Sequence, residues 1–135
     1  MKFLIYWKGL TVSPKPLKTM ISLFSGAGGL DIGLAKGAED DEYLSTLEEA
    51  LTLSLRQFQP DAIIYDAGVD IHVNDDLGHL HVSTKGVFER DKQVFQLASQ
   101  LGVPIAAVIG GGYQRNISAL VDVHIQLYRA AGVIA

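Results

Sequence analysis

The chain of 135 residues has no cysteine. That excludes disulfides, thiolate metal sites and any cysteine nucleophile. It also lacks any apolar run near the ~20 residues that a membrane-crossing helix requires. The opening stretch MKFLIYW is followed by Lys8 and is shorter than the apolar region of a secretion signal. The expectation is a cytoplasmic protein with no membrane partner. Charge is sparse as well. Charged residues make up 19% and the formal net charge is −4, which leaves no basic footprint for nucleic acid. Neither an internal repeat nor a low-complexity tract is visible. What the chain does have is apolar substance, 48% of its residues, enough for one domain with a buried core.

The first 20 residues show no clear period, and SPKPLK (13–18) reads as a turn or extended linker. From Asp41 onward Leu44, Leu47, Leu51, Leu55 and Phe58 recur at helical spacing, and Pro60 ends the helix. AIIY (62–65) reads as a buried strand. A second helix begins near Thr84 with Val87, Asp91, Val94, Ala98 and Leu101 on one face, and Gly102 stops it. PIAAVI (104–109) is the second buried strand. A last helix spans about 116–131 and carries Ile117, Leu120, Val121, His124 and Leu127. Helices alternating with short apolar strands predict an α/β fold, a parallel sheet flanked by helices.

In such sheets ligands bind beyond the carboxyl ends of the strands. Two loops leave those ends: DAGVDIHVNDDLG (66–78) and GGGYQRN (110–116). The first offers Asp66, Asp70, His72, Asp75 and Asp76, a set suited to a divalent cation or simply to solvent and helix capping. In the second, Gly110, Gly111 and Gly112 permit close approach to the backbone, and Tyr113 can present a phenol. A tight turn followed by a core tyrosine would read the same way.

Taken together, YDAGVD, DDLG, RDKQVFQLA and VPIAAVIGGGYQRN closely resemble the C-terminal part of the zinc-dependent histone deacetylase family, in particular its class IV and bacterial branch. The resemblance runs over about residues 31–135 and implies a partial, truncated sheet of the arginase/deacetylase kind. It implies that Asp70, in Gly68-Val69-Asp70, is a Zn2+ ligand. It implies that Tyr113 donates a hydrogen bond to the substrate carbonyl, and that Gly110, Gly111 and Gly112 line the channel for an acyl-lysine or an acylated small molecule. Asp75 and Gly78 match a step that shapes the loop. His72, although it forms Asp-x-His with Asp70, falls in the wrong segment for the family's other ligand pair and reads as a loop residue.

A catalytic zinc needs about three protein ligands and an open position. The resemblance supplies one. The family's tandem-histidine base has no counterpart, because the chain contains no His-His pair and no histidine before position 72. A deacetylase fragment, inactive alone, is the expectation. Upstream, ISLFSGAGGLDIGL (21–34) resembles the first motif of C5-cytosine DNA methyltransferases, with Phe24, Gly26, Gly28 and Gly29 as the S-adenosylmethionine-binding positions. The methyltransferase cysteine is missing. Residues 1–30 are therefore expected to be a non-deacetylase segment joined to a deacetylase portion at 31–135. The alternatives are an S-adenosylmethionine-binding remnant and a non-enzymatic α/β module that pairs with another chain. An incomplete parallel sheet leaves an edge open to self-association.

Overall fold

A computed structural model describes residues 3–6, 19–24 and 34–135. Its elements are β1 (Phe3–Tyr6), β2 (Met20–Phe24), α1 (Asp40–Phe58), β3 (Ala62–Gly68), α2 (Thr84–Leu101), β4 (Ile105–Gly110) and α3 (Ile117–Ala130). The strands form one sheet in the order β1-β4-β3-β2. β2, β3 and β4 are parallel, with Ile63 opposite Ile105 and Gly68 opposite Gly110. β1 lies antiparallel to β4, Phe3 opposite Val108. The result is a truncated α/β fold, a three-stranded parallel core flanked by helices.

Each helix has a local reason to begin and end where it does. Asp40, Asp41 and Glu42 fill the first turn of α1 and Arg56 the last, both matching the helix dipole. Gln59 then turns left-handed and gives its N–H to the Leu55 carbonyl. Ser83 caps α2 by accepting from Gly86 N at 3.0 Å, and Gly102, at φ 67°, closes the other end. Asn116 caps α3 by accepting from Ala119 N at 3.1 Å.

Ile63, Tyr65 and Ala67 of β3 and Ile105 and Ala107 of β4 join one core with Leu47, Leu51 and Leu55 of α1, Val87, Val94 and Ala98 of α2, and Val123 and Leu127 of α3. Burial in β3 alternates, so the strand has a period of two rather than the continuous burial expected from AIIY. On α1 the buried stripe starts at Tyr43, while Leu44 is half-buried and Phe58 exposed. Leu101, placed on the apolar face of α2, is exposed at the end of that helix, and on α3 Val123, Gln126 and Leu127 turn inward while Ile117 and Val121 are exposed. The strand at 3–6 had no visible period, since four residues give only two repeats of an alternation. No helix among the described residues is long and apolar enough to cross a membrane.

Candidate active site

The parallel register ends with Gly68 opposite Gly110, so both loops leave the same edge of the sheet side by side. Val69 N donates to the Gly110 carbonyl at 3.2 Å and prolongs the pairing by one step. Asp70 follows directly. Its carboxyl lies against Gly111: a Cβ at 111 would sit 2.9 Å from Asp70 Cγ. Gly111 also has φ +60°, a conformation that side chains resist, so glycine is required there on two counts. Gly112 rests on Val69 and Leu120, and Gly110 on the Asp66 carboxylate. Asp70, Gly110, Gly111 and Gly112, singled out separately in the sequence, are thus packed together.

The acidic loop is shaped by its own side chains. Asp75 Oδ1 accepts from Leu77 N at 2.9 Å and from Gly78 N at 2.8 Å, and Oδ2 accepts from Tyr113 N at 2.6 Å. Asp75 therefore forms its own turn and also fixes the backbone of Tyr113, whose side chain is 53% exposed. Asp76 pairs with Arg115 at 3.0 Å across the same gap. His72 is buried. Its Nδ1 accepts from Asn74 N and meets the Gln114 amide nitrogen, each at 3.2 Å, and its Nε2 lies 3.0 Å from Thr84 Oγ1. With Nδ1 accepting, the proton belongs on Nε2 and the threonine hydroxyl accepts it. Burial holds His72 below the usual imidazole range, opposed by Asp75 and Asp40. His72 is a loop residue, as expected, and it ties three segments together.

Beneath the loops lies a charged cluster that the sequence reading missed. Arg90, Asp91 and Tyr65 are each fully buried. Arg90 Nη1 donates to the Gly68 carbonyl at 2.5 Å, and its Nε donates to Asp91 Oδ1 at 2.9 Å. The Tyr65 hydroxyl donates to that same carboxylate oxygen at 2.5 Å. Burial pushes the Asp91 carboxyl up while Arg90 pulls it down. Burial also pushes Asp66 up, helped by the neighbouring Asp70 charge and opposed by Arg90. His124 reaches toward Gly112 from α3 and is held below its ordinary value, chiefly by burial and then by Arg90. Asp91 had shown itself as a charge on an apolar helix face, and that was the available signal. Arg90 had none.

The fit to zinc is incomplete. No group of three His, Cys, Asp or Glu side chains among the described residues converges as a metal site. Asp70 with Asp66 nearby falls short of the donor set a catalytic zinc requires. Of the positions proposed for S-adenosylmethionine, Gly26, Gly28 and Gly29 lie outside the described residues. So does the Phe24 side chain, although the Phe24 backbone pairs opposite Asp66.

Residues 25–127 match the histone deacetylase domain family. An uncharacterized protein of Picosynechococcus sp. is 47% identical over 102 residues, 76% of this chain and 34% of that protein. Histone deacetylase 2 of Arabidopsis thaliana is 36% identical over 103 residues, covering 76% of this chain and 27% of the relative. Among solved structures, an acetylpolyamine aminohydrolase from Burkholderia pseudomallei superposes with a TM-score of 0.58 at 25% identity, covering 73% of this chain and 27% of that one. The chain thus spans about a third or less of the length of these curated relatives.

Proposed function

The chain belongs to the histone deacetylase domain family, and from that premise we propose that it carries the Asp70–Tyr113 portion of a zinc-dependent acyl-amide hydrolase site. The observation that supports this reading is the parallel, in-register pairing of β3 and β4, which packs the Asp70 carboxyl against the glycine loop. In the assembled site Asp70 is one zinc ligand. Gly110, Gly111 and Gly112 form a wall bare of side chains along the acyl channel. The Tyr113 hydroxyl donates to the substrate oxygen as negative charge builds there, a contribution of about 3–4 kcal/mol in comparable oxyanion sites. The substrate class is an acyl-lysine or an acylated small amine. The latter is favoured by the likeness to an acetylpolyamine aminohydrolase. The branch is the class IV and bacterial one, and the location cytoplasmic.

Alone, this chain is inactive on our reading, since one carboxylate does not hold a catalytic zinc and no tandem histidine is present. Residues 1–30 are a segment of separate origin, and 31–135 the deacetylase portion. Among the described residues β1 and β2 are the outer strands of the sheet, and their outer sides are where pairing with another chain would occur.

The test is reconstitution. The chain is mixed with the part of the Picosynechococcus relative outside the matched region, supplied with zinc, and assayed on acetyl-lysine peptide and acetylpolyamine. The mixture should hydrolyse at least one of them, the separate pieces neither, and Tyr113→Phe should lower turnover by about 10²- to 10³-fold. Turnover by the lone chain would refute its inactivity. A bound but inert mixture would refute the site. A second reading is favoured by one feature: Met20–Phe24, which includes the described start of the methyltransferase-like stretch, is a strand parallel to β3 whose last residue pairs opposite Asp66. Calorimetric titration with S-adenosylmethionine tests it, and absence of binding removes it.

A further inference from the structure

We propose that Arg90, held by Asp91 and Tyr65, is a positioning residue that fixes where Asp70 leaves the sheet. The functional weight of that position rests on the reading of Asp70 given above, but the clamp itself does not. The guanidinium makes its contacts with no exposure to solvent. Nη1 holds the carbonyl of Gly68, the last residue of β3, at 2.5 Å. Nε and Nη2 lie 2.9 and 2.8 Å from Asp91 Oδ1. That same oxygen accepts from Tyr65 OH at 2.5 Å, and the Tyr65 ring lies 6.0 Å from the guanidinium carbon. Tyr65 is on β3 and Arg90 and Asp91 are on α2, so the cluster rivets the helix to the strand three residues before its end.

A buried ion pair is a poor choice if stability is the only demand, because well-packed apolar side chains serve as well or better. What an arginine adds is direction. It supplies several donors in a fixed plane, one of which is spent here on a backbone oxygen two residues before Asp70. The next link, Val69 N to the Gly110 carbonyl, couples the end of β3 to the glycine loop. The position of Gly111 against the Asp70 carboxyl is therefore set from beneath by Arg90. The same cation lies close enough to oppose the rise of the Asp66 carboxyl.

The experiment is amide hydrogen exchange on the full chain by NMR, comparing wild type, Arg90→Met and Tyr65→Phe with no metal present. Loss of a charge-assisted hydrogen bond predicts that Val69 and Tyr113 amides exchange about 10- to 150-fold faster in Arg90→Met, relative to the change at Leu47 and Leu51 in α1. Tyr65→Phe should show the same pattern, smaller. A uniform change across α1 and the loops would overturn the proposal, since that is what general destabilisation gives. If Arg90→Met does not fold, Tyr65→Phe decides on the same criterion. Selective exchange together with a failed reconstitution would retire the hydrolase reading and keep the clamp. The reverse pairing would do the opposite.

Discussion

The loop after β3 is fastened by its own side chains, whereas the glycine run that opens the loop after β4 is held by side chains from elsewhere. In the first, Asp75 and His72 between them meet six partners, among them Gly78, Tyr113, Thr84 and Gln114. In the second, three glycines have no side chains to spend, and their path is set by Asp66, Asp70, Val69 and Leu120 pressing on the backbone. The contrast shows a division of labour. A run of bare glycines has no groups with which to hold itself. The holding is delegated to its neighbour.

The comparison is broken most severely at Gly78. A Cβ there would collide with the Asp70 carbonyl, a backbone atom that cannot swing aside. Gly78→Ala should cost about 3 kcal/mol or more, read as a fall in the urea midpoint, and should disturb Gly111–Tyr113 resonances on the other loop. An unchanged glycine loop would mean the two loops are independent. Next in size is Asp75→Ala, which removes three acceptor contacts and should cost about 1–2 kcal/mol in the same titration. The Tyr113 amide should move while the α1 amides stay in place. The smallest effect comes from pH. The folded-state pKa of His72 lies below its ordinary 6.5, so the native state prefers the neutral ring. Its contribution is complete above about 6.5 and fades as pH falls through that value and below the depressed one. The midpoint should drop between pH 7.5 and 5.5, and His72→Gln should flatten that slope. His124 is depressed in the same direction, so part of the slope should survive.

Much of this arrangement was legible in the residues. Pro60, Gly102 and the helical stripes delimit α1, β3, α2, β4 and α3, because each boundary residue acts locally on φ or on a backbone donor. Gly68-Val69-Asp70 and Gly110–Tyr113 stood out since a parallel sheet must bring such loops to one edge. The rest depends on tertiary contact, which leaves no period behind. The link from Asp75 to the Tyr113 amide spans 38 positions and joins a side chain to a backbone, so neither residue's type announces it. Arg90 reads as a solvated charge next to Asp91 until α2 is laid on β3. Of the residues named on α3, Leu127 is buried but Ile117 and Val121 are exposed, and the buried Val123 was not among them, because which apolar side of the helix meets α2 is set by tertiary packing.

One detail of the sheet bears on any meeting with a second chain. β4 already has a companion on its outer side, the ribbon Phe3–Tyr6 running the opposite way. A newcomer strand seeking that berth would find it taken. Joining there would first require peeling off a four-residue ribbon, so its pace would be governed by that unzipping and would stop rising once the newcomer is abundant.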